Sequence, residues 1–519
     1  ANTVGGGHAV KAGGFALVGT ELQQKRGYAD SPEIAVDDLM RWGETANAEW
    51  VKRYVTQSNT MVYEWLQEMG VEFKVIIDTP EATVPRFHFT AGTAVNAVVP
   101  MMQKAFASDR IRFVWNERAV ELLVADNRVN GIKTLNERSG AAHLWQAPAV
   151  IMATGGFQNN LDMVRENWPA TTRSPDNLLK CAGLFAQGDG YRMAAQAGAS
   201  LKDLHKQVHF INGLPDPRDP TGSQALTVHN ASSIWVNAQG MRFVNEAAPD
   251  KTTVPAVLQQ KPTSMWMIFD QRGLKRLQIR GATWLDRDTM TREIITNPAV
   301  THQANSPEEL ARLASLPPEM LRTTISRYNG FVGAEHDTDF DRFASTLRLP
   351  TDSSEPPFYA MQLHPLTRKS MGGPAVDSNA AVLDMNSDTI EGLYAAGELI
   401  GVAGINGDHG QSGTFLGPSV FTGRIAGRSA AGFVSTRITA AATNPPSEQS
   451  PPPINMSHEE LQVMLTVHRS GYWHFEQVHT RVLERQLNCE LCHSDTAPMV
   501  PALKPQHMAA QLQTCTLCH

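Results

Sequence analysis

The chain has 519 residues, 42% of them hydrophobic and 19% charged, an ordinary composition for a soluble globular protein but too long for one core, so two to four domains are expected. Its formal charge of -7 gives no basic footprint, so nucleic acid is not an expected partner. No apolar run reaches the roughly 18 residues that a membrane span needs, and the opening "ANTVGGGHAV" has neither a signal-peptide pattern nor an initiator Met, as expected of a chain whose leader has been removed.

Residues 30–70 are predicted helical. Ser31-Pro32 opens the stretch, apolar residues recur at helical spacing, and Gly70 closes it. Residues 111–136 alternate apolar and polar, with turn signals at Asp126-Asn127 and Asn130-Gly131, and read as strands of a small sheet. "APAVIMATGGF" (147–157) is a short apolar strand running into a glycine turn. Cys181, in "LLKCAGLFAQGDG", is expected to be buried and inert. "GDGYRMAAQAGA" (188–199) is a glycine-rich helix start, and "IEGLYAAGELIG" (390–401) repeats the strand-then-glycine pattern. "GTFLGPSVFTGRIAGRSAAGF" (413–433) is a loop feeding a small-residue helix. Glycine turns after apolar strands let backbone N–H groups approach a phosphate or a flavin ring. "TAAATNPPSEQSPPPINMS" (439–457) is rich in Pro and Ser and reads as a semi-rigid linker.

Four of the five cysteines follow that linker, in two Cys-x-x-Cys-His units: Cys489, Cys492 and His493, then Cys515, Cys518 and His519. This is the attachment sequence for c-type haem, in which the thiols add to the porphyrin vinyl groups and the histidine ligates the iron. The rival is a zinc ribbon, since two Cys-x-x-Cys pairs can hold one Zn²⁺. The 22 residues between the pairs are slightly too many for that pattern, and a His after both pairs favours haem. A sixth iron ligand is sought among His468, His474, His479 and His507, with His479 and His507 favoured and Met499 and Met508 as alternatives. So small and polar a tail needs covalent staples to fold. Haem attachment of this kind occurs outside the bacterial cytoplasm, so an exported, periplasmic protein is expected.

The glycine segments occur in a telling order. "KAGGFALVGT" (11–20), "ATGGFQNN" (153–160), "GDGYRMAAQAGA", "GMRFVNE" (240–246), "SMGGPAVD" (370–377), "GLYAAGE" (392–398) and "FLGPSVFTGRIAG" (415–427) together resemble the flavoprotein family of fumarate reductase, succinate dehydrogenase and the 3-ketosteroid dehydrogenases. With its haem motifs the chain resembles a flavocytochrome c. The resemblance implies an α/β fold: a Rossmann-like FAD-binding domain with an inserted α+β capping domain, followed by a small, mainly α, haem-stapled domain. The expected boundaries are 1–209 and 361–436 for the FAD-binding domain, 210–360 for the capping or substrate domain, 437–457 for the linker and 458–519 for the dihaem domain.

The resemblance further implies FAD, held by Gly13 and Gly14 along the pyrophosphate, by Thr154, Gly155 and Gly156 after their strand, and by Gly397 and Glu398. The turn Leu416, Gly417, Pro418, Ser419 would aim a helix N-terminus at the flavin. One departure stands out. The family's opening strand, Gly-x-Gly-x-x-Gly turn and helix are not in the sequence, so a further segment or a separate polypeptide is expected to complete the fold. Fumarate-reducing members carry a His before Thr-Met-Gly-Gly, an Arg before Leu-Gly-Gly, and an Arg beyond the Arg-Phe-x-Asn-Glu segment. Here the first two positions read Lys369 and Phe415, and no Arg occurs from Phe243 to Gln271, so fumarate reduction is not expected. His88, Arg368, Lys369 and His409 are the candidates for binding a small-molecule substrate or moving a proton. The function expected is hydride exchange between FAD and an organic substrate, with electrons passing through two haems to another cytochrome or a quinol-linked protein. The alternatives are an electron-transfer subunit with no substrate of its own, or a fumarate-reductase-like enoate reductase.

Overall fold

Asp126 and Asn127 both take left-handed φ, 53° and 57°, and so make the tight turn that joins strands Glu117–Ala125 and Arg128–Asn136. Asn130-Gly131, expected as a second turn, instead lies within the latter strand. There the glycine lets the neighbouring strand Ala142–Gln146 close in: a Cβ on Gly131 would stand 2.1 Å from the Trp145 carbonyl oxygen. The protein is described by a computed structural model over residues 9, 13–90, 94–282, 285–345, 350–440 and 457.

The chain divides into two units, 1–163 with 182–207 and 369–519, and 164–181 with 208–368. The capping segment was expected over 210–360; the second unit also includes 164–181. In the first unit, the predicted helical stretch 30–70 is two helices rather than one, Pro32–Gly43 and Ala48–Ser58, with a turn of π-helix at Asn59–Glu64. Ser31 and Asn47 cap the two helices by accepting from the Ile34 and Trp50 N–H groups. The break falls at Glu44, whose φ of 59° stops the first helix, beside Gly43 packed on the Asn406 backbone.

The first unit's main sheet has the order Ala381–Leu383, Thr389–Ala395, Arg128–Asn136, Glu117–Ala125. Val150–Met152 runs parallel to Thr389–Ala395 in the register Leu393 to Val150 and Ala395 to Met152. The sheet order gives Val150–Met152 no second strand neighbour among the described residues, and its Ile151 is 43% exposed. The helix Leu416–Ala440 follows.

The second unit is built on an eight-stranded sheet whose long strand, Phe358–Ser370, pairs with Met265–Phe269 and, in parallel, with Leu179–Lys180. Helices Pro307–Leu313 and Pro318–Ala334 cover an apolar core that includes Ile234, Ile268, Leu310, Leu321, Ile325 and Tyr328. The Arg-Phe-Val-Asn-Glu segment holds this unit by charge. Arg242 makes a two-pronged contact with Glu246, both bonds 2.8 Å, and a further bond of 2.8 Å to Asp337, all three side chains being almost wholly buried. Among the described residues no helix is long and apolar enough to cross a membrane.

Candidate active site

Parallel pairing brings the C-terminal ends of Val150–Met152 and Thr389–Ala395 to the same place, and both chains turn there on glycine. Gly155 and Gly397 have φ of 75° and 73°, which favours glycine at each turn. Thr154, Gly155, Gly397 and Glu398 thereby form one wall of a cavity of about 900 Å³ inside the first unit. The Gly397 N–H donates to the Thr422 hydroxyl at 3.0 Å, which ties the strand end to the helix Leu416–Ala440. That helix begins on the cavity with Leu416 and Ser419, and its first intrahelical bond runs from the Ser419 N–H to the Phe415 carbonyl. The first turn of a helix carries N–H groups without intrahelical partners and a positive dipole end, which suits an anionic ligand edge.

Glu398 is fixed where it stands. Its Oε1 accepts from the Ser370 N–H at 3.0 Å, and a Cβ on Gly156 would lie 2.5 Å from that same oxygen. Lys369, the next cavity residue, holds its Nζ 3.8 Å from the centroid of the Phe415 ring. The cavity's size, two glycine strand ends, a carboxylate able to accept from sugar hydroxyls and a helix N-terminus together fit a flavin dinucleotide.

Of the residues singled out from sequence, Thr154, Gly155, Gly397, Glu398, Leu416, Ser419 and Lys369 line this one cavity, with Gly156, Gly417 and Pro418 adjacent in the chain. Gly13 and Gly14 do not line it. They lead into the strand Phe15–Ala16, where Gly14 leaves room for the His88 carbonyl oxygen. Arg368 lies in the second unit, its Nη1 donating to the Cys181 carbonyl at 3.1 Å and its guanidinium over the Phe210 ring. Cys181 is buried, as expected. His409 stands 3.5 Å from the Glu44 carboxylate, outside the cavity lining. His88 is corrected from a substrate group to a core group. It is fully buried, with Nε2 2.7 Å from the Thr20 hydroxyl and Nδ1 2.7 Å from the Arg86 carbonyl. The haem residues Cys489, Cys492, His493, Cys515, Cys518 and His519, and the ligand candidates His479 and His507, lie outside the described residues. Among the described residues there is no group of three metal-binding side chains.

The far wall of the cavity went unseen in the sequence. It includes Glu117, Arg118 and Glu137 from the hairpin, and Asp189 with Arg192 from the helix Asp189–Gln196. Burial alone would raise the Glu117 pKa, but bonds from Thr134, Asn136 and His143 hold it below the ordinary carboxylate value. An alternating strand pattern carries no sign of which polar residues will meet a ligand. His209, in the second unit, was also passed over. It is buried with its ring 4.4 Å from that of Trp168, and its Nε2 has no partner among the described residues.

Burial pushes the His88 imidazole down to about 4 and that of His209 down to about 3. Unfolded, each titrates near its ordinary value of about 6.5. Between the folded and unfolded values only the unfolded chain binds the proton. Stability is therefore whole above about pH 6.5 and falls as pH drops through that window, by about 3 kcal/mol in all for His88. Urea unfolding of the native protein and His88→Gln at pH 7 and pH 5 checks this. The variant is expected to lose about 2 kcal/mol less between the two pH values, and an unchanged difference would show that His88 is not held neutral.

The fold is mixed α/β, and its cavity fits a flavin dinucleotide. The FAD binding domain family matches residues 2–413, and the chain belongs to that family as an FAD-dependent oxidoreductase. It is 30% identical over 435 residues to a fumarate reductase (cytochrome) of Shewanella frigidimarina, spanning 83% of this chain and 71% of that one. It is 26% identical to a KsdD-like steroid dehydrogenase of Mycobacterium tuberculosis, spanning 82% of this chain and 89% of that one. The open conformation of a flavocytochrome c3 fumarate reductase superposes with a TM-score of 0.67 at 28% identity, over 82% of this chain and 72% of that one.

Proposed function

We propose that the protein is a periplasmic flavocytochrome c that exchanges hydride with an organic substrate and passes electrons through two c-type haems to a redox partner. The observation that carries the flavin half is the cavity that Thr154, Gly155, Gly397, Glu398, Leu416 and Ser419 line together. FAD, when bound there, supplies two-electron hydride exchange. Thr154 and Gly155 would hold it on one strand end, Gly397 and Glu398 on the other, and the Leu416–Ser419 turn would favour negative charge on its ring. Lys369 stands on the same cavity wall and is the side chain proposed to meet an anionic substrate. Cys489, Cys492 and His493, with Cys515, Cys518 and His519, are the donor set for two haems, which supply one-electron transfer. The open edge of Val150–Met152, with Ile151 exposed, supports a further strand at that edge from another segment or polypeptide, because an apolar edge strand is stabilised by pairing.

A second reading, an enoate reductase resembling fumarate reductase, is favoured by the 30% identity to a relative of that name. Lys369 and Phe415 weigh against a dicarboxylate as its substrate, since they stand where fumarate-reducing members carry a His and an Arg. With reduced methyl viologen as donor, fumarate turnover is expected to stay far below the order of 10 per second typical of enzymes on their own substrates. Turnover at that level would show that this site handles dicarboxylates.

A further inference from the structure

We propose that Arg424 and Arg428, midway along the helix Leu416–Ala440, are the docking site for the chain's own tail, residues 458–519, and receive the propionate carboxylates of one of its haems. The proposal rests on the haem reading given above. It starts from two cations without acids. Arg424 and Arg428 stand four residues apart and so share one face of the helix. Arg424 donates to the Met61 carbonyl at 2.6 Å and lies over the Trp65 ring, 4.5 Å from its centroid. Arg428 is exposed, with its Nη1 3.1 Å from the Met61 sulfur, a weak acceptor. Among the described residues neither guanidinium is paired with a carboxylate, whereas Arg437, further along the same helix, is held by Glu391. Burial and the Arg428 charge together lower the Arg424 pKa, and Glu68 offsets them only in part. Like charges four residues apart repel, so an anion that meets both is favoured. The two propionates of a haem are such an anion, and the half-buried Trp65 ring offers its macrocycle an apolar neighbour.

Position and tether favour this occupant. Gly423, one residue before Arg424, lines the flavin cavity. At about 1.5 Å of rise per residue, Arg428 lies only about 8 Å further along the axis. A haem held there stands close to the flavin that feeds it. The same helix carries the tail. Residues 441–457 join the two, and a chain of that length reaches about 50 Å when extended. The way back from Ala440 to Arg428 is about 18 Å along the helix. A tethered group also acts at a high effective concentration, so two charge contacts suffice where a free partner would need a broad interface.

The test uses the full protein carrying FAD and haem. A carbodiimide joins an amine to a nearby carboxylate as an amide, the reagent taking up the water. In Arg428→Lys, this coupling followed by proteolysis and mass spectrometry is expected to give the peptide holding position 428 joined to a haem peptide, Cys489–His493 or Cys515–His519. Coupling of the introduced amine to Glu68 alone, or to no carboxylate, would overturn the proposal. Electron transfer gives a second readout, with the flavin reduced by a pulse of photogenerated reductant and the haem absorbance followed in time. Arg428→Glu is expected to slow haem reduction at least about tenfold with FAD and haem contents unchanged, and Arg428→Lys to keep the native rate. That native rate is expected to fall as salt is raised. An unaltered rate in Arg428→Glu would equally overturn the proposal. A protein that holds zinc and no haem would instead overturn the haem reading beneath it.

Discussion

Arg242→Met is expected to cost the second unit about 3–5 kcal/mol of stability, the usual loss when one member of a buried ion network is removed. The substitution keeps much of the volume but strands two carboxylates. Glu246 would lose both prongs of its contact, keeping an Arg342 nitrogen at 3.3 Å and the Trp235 N–H at 3.2 Å. Asp337 would keep only the Asp339 and Phe340 N–H groups. Burial by itself raises the Asp337 pKa; Arg242 outweighs burial and holds it below the ordinary value. Without the guanidinium, burial dominates, and the carboxyl takes up a proton at higher pH. The ring faces of Tyr328 and Phe340, 5.3 and 5.1 Å from the guanidinium, lose a cation as well. Chemical denaturation of the variant beside the native protein measures the cost, and a loss under about 1 kcal/mol would mean that the network is solvated.

Gly156→Val is expected to remove at least nine-tenths of the bound FAD while leaving the second unit's unfolding unchanged. A Cβ at position 156 would stand 2.5 Å from Glu398 Oε1 and 2.6 Å from the Ser370 hydroxyl, and the branches of valine reach further. Ser370 is held by the Phe157 N–H at 3.2 Å and in turn donates its own N–H to Glu398. Moving Glu398 therefore breaks a chain of contacts that positions the cavity wall. Overpacking of this kind costs about 1–3 kcal/mol locally, and the displaced carboxylate adds the loss of a cofactor contact. Flavin released by acid, measured per chain, reads the result. Full flavin occupancy in the variant would mean that Glu398 and the glycine turn do not hold the cofactor.

The strand-then-glycine pattern made one wall of the cavity legible: a single such turn says little, but here it recurs at Thr154–Gly156 and Gly397–Glu398, and Thr154, Gly155, Gly397 and Glu398 line the same cavity. The helix from Leu416 was legible from its run of small residues after a glycine-containing loop. The break at Glu44 was not, since the Asn406 backbone that abuts Gly43 is 363 positions away in the chain. Nor was the fate of His88. A histidine between two phenylalanines gives no sign of whether it will meet solvent, substrate or a buried hydroxyl. Arg368 and Lys369 are neighbours in sequence with opposite destinations, which only the strand's alternation and its packing decide. The far wall, with Glu117 and Arg118, sits in an ordinary hairpin pattern and was therefore silent.

The most direct test of a flavin wired to haems is the cofactor content of the purified full chain. A pyridine haemochrome spectrum, set against flavin released from the same sample, is expected to give two covalently bound haems and one FAD per chain. Stoichiometric zinc with no haem absorbance would contradict the account.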